Sequence, residues 1–131
     1  MNKEKETEML FEELLRAIAD GTLVIVEGEK DRKALQNLGI KNIFVINEHG
    51  KSFYEKIERI AEKIKEAMIL TDLDTEGKKL YSIIKRSFSN NGVRINDKIR
   101  DLLIKLKISH VEGLSTFIDN CECDECCSKA S

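Results

Sequence analysis

Apolar and polar residues follow two different periods along this chain. Four short runs are almost continuously apolar and are predicted to form β-strands, at residues 22–27, 43–46, 68–72 and 93–95. In the longer segments between and after them, apolar residues recur every three or four positions, which predicts helices at 29–38, 53–65, 76–88 and 97–106. Strands that lack a polar face and alternate with helices are typical of a parallel sheet covered on both sides.

A further helix is predicted within the first 20 residues. Its face toward the domain carries Thr7, Leu10, Phe11, Leu14, Leu15 and Ile18, with charged residues between them. Asp20 and Gly21 then end the helix and turn the chain into the first strand. We expect this helix to pack on the domain, and binding of a partner is the alternative for such a stripe.

The fold class predicted from these elements is α/β, a compact four-stranded parallel sheet with helices on both faces. A strand order of 2-1-3-4 places strands one and three side by side, and ligands bind where the strand order reverses. A chain of 131 residues suits one such domain. We divide it into an N-terminal helix at 1–20, the domain at 21–118 and an acidic, cysteine-rich tail at 119–131.

The tail contains all four cysteines of the chain, Cys121, Cys123, Cys126 and Cys127. Because they lie within its last eleven residues, they cannot form a disulfide framework for the domain. Two interpretations stay open. The tail is either a flexible acidic end with incidental thiols, or a second site for a soft metal or for redox chemistry, formed within one chain or between two.

Composition also bears on location and assembly. No apolar run approaches the roughly 20 residues that span a bilayer, and the chain starts with charged residues instead of an apolar signal segment. We therefore expect a cytoplasmic protein with no membrane partner. The net charge of −2 permits a dimer without requiring one.

Charge is distributed unevenly along the chain. Residues 78–107 contain nine basic and two acidic side chains, a local net charge of +7, whereas both ends of the chain are acidic. One interpretation is a set of solvated helix faces. The other is a track for the phosphate backbone of a nucleic acid.

Acidic residues and a glycine follow two of the predicted strands. The first strand runs into Glu27 and Gly28, and the third runs into Asp72, Asp74, Glu76 and Gly77. If these strands are neighbours, their carboxylates meet at one edge of the sheet, where they repel one another unless a cation is bound. Oxygen ligands without histidine or cysteine favour Mg²⁺ or Mn²⁺.

Single members of this set have simpler explanations. Asp74 is explained by itself as a helix N-cap, worth about 1 kcal/mol. Glu76 and Asp31 each place a favourable negative charge in the first turn of a helix. One helix start needs only one cap, however, so capping does not account for the whole set.

Residues near the same edge are candidates for contact with phosphate or substrate. Gly28 and Gly77 lack a Cβ atom, which lets a phosphate approach backbone N–H groups at a helix start. The basic and polar candidates are Lys51, Lys78 and Lys79, with His49 and Ser52 in the same loop as Lys51. Plain surface exposure is the alternative for His49.

Two segments resemble the signature motifs of the Toprim domain. They are residues 24–28 (Val-Ile-Val-Glu-Gly), followed by Asp31, and residues 71–77 (Thr-Asp-Leu-Asp-Thr-Glu-Gly). The resemblance covers roughly residues 21–118 and is strongest to small stand-alone archaeal Toprim proteins and to the ribonuclease that matures 5S ribosomal RNA. The likeness to that ribonuclease includes residues 111–114 (Val-Glu-Gly-Leu). It implies a Toprim, Rossmann-like fold.

The resemblance also implies a phosphotransfer site that depends on Mg²⁺ or Mn²⁺. In such a site Glu27 acts as general acid or base or as a ligand, Asp72 and Asp74 hold the ion, and Glu76 matches a further acidic position. Topoisomerase-like members often carry arginine where this chain has Thr75. The positive charge that would stabilise the transition state is missing at that position.

The predicted function is that of a small nuclease acting on structured RNA or DNA. Strand passage by this chain alone is excluded, because a topoisomerase needs a tyrosine nucleophile on another domain and a gate. A primase is disfavoured because no zinc-binding or additional polymerase domain accompanies the core. The rival is a non-catalytic module that binds nucleic acid or nucleotide as a subunit of a larger complex.

Overall fold

The computed structural model describes residues 3–46 and 51–123, with side chains at 3–46 and 53–120. Its helices and strands alternate for most of the chain. In order they are α1 (Lys3–Asp20), β1 (Leu23–Val26), α2 (Glu29–Asn37), β2 (Ile43–Val45), α3 (Lys51–Ala61), β3 (Glu66–Ile69), α4 (Thr75–Asn90), β4 (Arg94–Ile95), α5 (Lys98–Lys105) and α6 (Val111–Cys123). No helix in this described part is long and apolar enough to cross a membrane.

The four strands form one parallel sheet in the order β2-β1-β3-β4, which confirms the predicted fold class. Ile25 in the middle of β1 is paired with Phe44 on one side and with Ile69 on the other. The strand order therefore reverses between β1 and β3, and the carboxyl ends of these two strands are neighbours.

Two hydrophobic cores lie on opposite faces of the sheet. Val24 and Val26 of β1 point into the core formed with α1, α2, α5 and α6. The alternate residues Leu23 and Ile25 point into the core formed with α3 and α4. Alternate residues of β1 thus pack into the cores on both faces of the sheet, which explains why the strand has no polar face.

The structure differs most from the predicted elements at two places, although the ends of others, such as α3, are also shifted. The third strand ends at Ile69, so Asp72 lies in a loop instead of on an extended strand. The alternation argument that placed Asp72 and Asp74 on one side of a strand was therefore wrong, although both residues still follow that strand. The second difference is α6, which was not predicted and runs across the proposed boundary at residue 118.

The sequence of α6 contains a helical pattern of apolar residues. Val111, Leu114 and Ile118 recur at helical spacing and are all buried in the core that α2 shares. The helix matters for function because it places residues 109–112 beside the acidic edge of the sheet.

Candidate functional site

Glu27 and Asp72 connect the ends of β1 and β3. The backbone N–H of Asp72 donates a hydrogen bond to Glu27 Oε2 at 2.7 Å. Burial raises the pKa of Asp72, and the nearby negative charges of Glu27, Asp31 and Asp74 raise it further. The acidic residues of the two strand ends are therefore electrostatic neighbours, as the strand order requires.

The segment after β3 is closed by its own hydrogen bonds. Asp74 caps α4, because the N–H of Gly77 donates to Asp74 Oδ1 at 2.7 Å. The hydroxyl of Thr71 donates to the carbonyl oxygen of the same glycine at 2.8 Å. Both contacts fold residues 71–77 into a compact turn at the start of α4.

Gly77 is required by this turn. A Cβ atom there would lie 2.0 Å from the backbone oxygen of Asp72, a distance that real Cβ atoms do not adopt. The space was predicted to admit a phosphate, and this explanation needs correction. The missing side chain makes room for the protein's own backbone.

The segment after β1 is more open. The N–H of Gly28 donates to Asp31 Oδ2 at 3.2 Å, and no atom outside the neighbouring residues lies within 4 Å of a Cβ built at Gly28. Burial raises the pKa of Asp31, and the negative charge of Glu112 raises it further. The hydrogen bond from the Gly28 N–H acts in the opposite direction and offsets part of this increase. Gly28 therefore keeps the open approach that was predicted for both glycines.

Arg100 is a part of the site that the sequence analysis placed wrongly. It was counted among the surface cations of residues 78–107, yet its side chain is only 5% exposed. One guanidinium nitrogen donates to the carbonyl oxygen of Thr71 at 2.8 Å and to the hydroxyl of the same residue at 3.2 Å. The guanidinium therefore lies directly beneath the loop that carries Asp72.

Other cations of that stretch are also engaged. Lys85 bonds to Asp97 at 2.8 Å, and Arg94 forms an ion pair with Glu66. Seven of the nine basic residues within 78–107 are nevertheless exposed, Arg94 among them. They include Lys78, Lys79 and Arg86 on α4.

His110 was not assigned a partner from the sequence, and the structure places it at the acidic edge. Its Nδ1 lies 3.0 Å from the hydroxyl of Ser109, whose carbonyl oxygen accepts a 2.8 Å hydrogen bond from the N–H of Leu73. The pKa of Asp31 and the pKa of Asp72 are raised by burial, and the charge of a protonated His110 opposes that increase only slightly. The only sequence signal for this position was its place immediately before α6.

The described acidic residues are too few for a complete set of protein ligands around a metal ion, but they are sufficient for Mg²⁺. Among the described side chains, those of residues 3–46 and 53–120, no three acidic, histidine or cysteine groups are arranged to hold a metal ion by themselves. Mg²⁺, however, is usually held by one or two carboxylates, with waters and substrate phosphates completing its shell. Glu27 and Asp72 fit that pattern, since burial and like charge leave Asp72 in need of a counter-charge.

The remaining predicted site residues fall into two groups. Glu76, Lys78 and Lys79 are exposed in the first turns of α4, close in sequence to the capped turn. Residues 47–50, the side chains of Lys51 and Ser52, and the four cysteine side chains lie outside the description. The predicted contacts of His49 and Lys51, and the second site at Cys121, Cys123, Cys126 and Cys127, therefore stay predictions.

A groove of about 500 Å³ lies between α3 and α4, away from the carboxylates. It is lined by Tyr54, Ile83 and Arg86, with Glu58, two serines and two asparagines. None of the acidic residues that follow β1 and β3 contributes to it. The candidate site is therefore an open edge of the sheet rather than this groove.

Comparison with known proteins agrees with the fold. The family model for the Toprim domain matches residues 22–109, a span that contains both strand ends. The chain belongs to the Toprim domain family. Membership implies a nucleic-acid-related, metal-binding module, of a kind that typically binds Mg²⁺.

Its relatives include small archaeal proteins of similar length. A UPF0292 protein of Methanocaldococcus jannaschii is 29% identical over 124 residues, which cover 91% of this chain and 97% of that protein. A UPF0292 protein of Methanosarcina barkeri is 34% identical over 115 residues, covering 85% and 79% of the two chains. This confirms the predicted likeness to small archaeal Toprim proteins, and the name of neither relative specifies an activity.

A solved structure shows the same fold. A protein from Aquifex aeolicus superimposes with a TM-score of 0.70 at 30% identity, covering 81% of this chain and 94% of its own. The Rossmann-like arrangement of sheet and helices is thus common to both proteins.

Proposed function

We propose that this protein hydrolyses or transfers phosphodiester bonds in structured RNA or DNA, with Mg²⁺ or Mn²⁺ as its cofactor. The observation that supports this most directly is the 2.7 Å hydrogen bond between the Asp72 N–H and Glu27, which brings acidic residues of two strand ends together. The raised pKa of Asp72 gives the edge a need for positive charge. A bound ion would supply that charge and stabilise the charge that develops on phosphate.

In this proposal, Asp72 and Glu27 are the principal ligands, and Asp74 and Glu76 are the outer acidic residues. Glu27 also serves as general acid or base. Its Oε2 is occupied by the Asp72 N–H, which leaves the other carboxylate oxygen to exchange a proton with water or with a leaving group. Asp74 contributes through Oδ2, because its Oδ1 already caps α4.

Phosphate is received beside Gly28, where the backbone is accessible, and Lys78 and Lys79 contact the backbone of the nucleic acid farther along α4. Lys51 is assigned to the same surface on its position in the sequence. No membrane partner enters the proposal.

The second candidate is a module that binds nucleic acid or nucleotide without cleaving it. It is favoured by the engagement of Asp74 as a helix cap, which leaves fewer free carboxylates than a strongly chelating site requires. Thr75, which stands where topoisomerase-like members often carry arginine, favours it as well.

The test is a cleavage screen against single-stranded, duplex and hairpin RNA and DNA with Mg²⁺ and with Mn²⁺. We expect turnover by the natural protein, and its loss in Glu27→Gln and in Asp72→Asn. Glu55→Gln is the matched control, because Glu55 is an exposed carboxylate on α3. Full activity in either site variant would remove the nuclease proposal, and salt-sensitive binding without turnover in both metals would favour the binding module.

A further inference from the structure

Arg100 has unusual hydrogen-bond partners for a buried arginine. Its guanidinium donates to backbone carbonyl oxygens of three residues at the end of β3, at 2.8 Å to Thr71 and at 3.4 Å to both Ile69 and Asp72. Within the described part of the chain, none of the groups that accept its hydrogen bonds is a carboxylate. The five donors of a guanidinium form a rigid fork, so a single side chain is able to fix several carbonyl groups at once.

The position of Arg100 is itself fixed by a second group of side chains. Its guanidinium carbon lies 4.2 Å from the centre of the Tyr81 ring, a cation–π contact. The Tyr81 hydroxyl donates to Asp97 at 2.6 Å, and the Lys85 ammonium donates to the same carboxylate at 2.8 Å. Helices α4 and α5 thus hold the aromatic ring on which the guanidinium rests.

Burying the charge of Arg100 costs free energy of desolvation. Burial lowers the pKa of Arg100, while the negative charges of Asp97 and Glu27 act in the opposite direction. Replacing buried charged groups with apolar side chains of similar size is often neutral or stabilising in proteins. Filling the core at this position therefore does not require arginine.

The acidic edge, by contrast, gains from a guanidinium in this place. The carbonyl groups that Arg100 binds belong to the same turn whose Asp72 N–H binds Glu27. Holding these carbonyl groups toward the interior fixes the orientation of the peptide units on either side of Asp72. The positive charge also lies within electrostatic reach of Glu27.

We propose that Arg100 is a positioning residue for the acidic site. It holds the Thr71–Asp72 turn in the orientation that directs the Asp72 N–H to Glu27. This inference rests on the proposed function as far as Mg²⁺ is concerned. The orientation of the turn is independent of any activity.

The experiment compares three variants of the full chain. Arg100→Met keeps an unbranched side chain of about the length of the arginine's aliphatic part but removes the charge and the donors, and Arg100→Lys keeps the charge without the fork. Leu102→Ala is the matched control, because Leu102 is a buried residue on the same helix with 4% exposure and no part in the turn. The measurements are thermal melting, Mg²⁺ affinity by calorimetry, and hydrogen exchange at the amides of Asp72 and Leu73.

For Arg100→Met we expect Mg²⁺ affinity to fall by about tenfold or more, as for other residues that orient metal ligands. We also expect exchange at the Asp72 amide to accelerate by about tenfold. Arg100→Lys should recover part of both. Leu102→Ala should lower the melting temperature while both site measurements stay within about twofold, because its cost is that of a cavity in the core.

Equal losses in Leu102→Ala and Arg100→Met would overturn the proposal, since Arg100 would then act through general stability alone. Unchanged exchange and affinity in Arg100→Met would overturn it as well. If the natural protein binds no Mg²⁺, the proposed cofactor fails, while exchange at Asp72 still decides the role of Arg100. If Arg100→Met does not fold, Arg100→Lys decides between the same outcomes.

Discussion

The ends of β1 and β3 have similar sequences and different structures. Each strand is followed by acidic residues, a glycine and the start of a helix. At the end of β3, Gly77 is bonded to Asp74 through its N–H and to Thr71 through its carbonyl group, at 2.7 and 2.8 Å. At the end of β1 the corresponding hydrogen bonds are longer: the N–H of Gly28 donates to Asp31 at 3.2 Å, and its carbonyl oxygen accepts from the N–H of Arg32 at 3.2 Å.

The difference assigns separate tasks to the two ends. The β3 end is closed on itself and rests on Arg100, so it presents Asp72 in a fixed position. The β1 end leaves space beside Gly28 where a ligand can approach the start of α2. One end therefore supplies a rigid carboxylate, and the other supplies access.

The largest effect is expected when a methyl group is added to each glycine, which tests the difference between the two strand ends. Gly77→Ala should lower the free energy of unfolding by about 3 kcal/mol, at the upper end of typical overpacking costs, because the new Cβ meets the Asp72 backbone. Gly28→Ala should cost less than about 1 kcal/mol, since its extended backbone is open to any residue and only N-cap preference opposes alanine. Urea denaturation measures both, and similar losses would contradict the contrast.

The two caps provide a smaller test. Asp74→Ala should cost about 1 kcal/mol, the usual value for loss of an N-cap. Asp31→Ala should cost less than half as much, because its hydrogen bond is longer and burial disfavours its charged form. The free energies of unfolding of the two variants provide the measurement. A larger loss for Asp31→Ala would mean that the β1 end is the more tightly organised one.

Asp72 makes the stability of the β3 end depend on pH. Its pKa is raised by burial and by the charges of Glu27, Asp31 and Asp74, so the folded state binds its proton more tightly than the unfolded state does. The stabilising contribution of this group is present at pH values below its ordinary pKa of 3.8 and is lost as pH rises through the folded pKa.

Asp72→Asn should therefore raise the melting temperature of the metal-free protein at neutral pH, and the difference should shrink toward pH 3.8. Its backbone bond to Glu27 is retained in the variant. Added Mg²⁺ should raise the melting temperature of the natural protein more than that of the variant. A variant less stable than the natural protein at neutral pH would show that Asp72 is already compensated within the chain.

How far the sequence predicts this site depends on the range of the interactions. Strand order and the meeting of Glu27 with Asp72 follow from local periodicity and from the rules for parallel sheets, and the N-cap at Asp74 was one of two interpretations left open. Burial of Arg100 could not be predicted, because it depends on how α5 packs against the end of β3. Asp97 shows the same limit, because its carboxylate binds Tyr81 and Lys85 of α4, and these contacts depend on how α4 packs beside the start of α5.

The smallest effect is expected from the exposed lysines of the two helix starts, and it concerns binding alone. Lys78 and Lys79 follow the β3 end, whereas Lys30 and Lys33 follow the β1 end, and all four are exposed. The first turn of α2 carries two acidic residues, while that of α4 carries one, Glu76. Phosphate should therefore be attracted more strongly along α4.

Removal of Lys78 and Lys79 together, with both replaced by alanine, should reduce the slope of log affinity against log salt by about 2 for a hairpin RNA or DNA. The paired change at Lys30 and Lys33 should reduce it by less than about 1, and neither pair should alter the melting temperature. Binding is measured in the Glu27→Gln background so that the nucleic acid stays intact. If replacing Lys30 and Lys33 causes the larger decrease in slope, the nucleic acid binds along α2 instead of α4. The β1 end would then provide both the open approach and the main phosphate contacts.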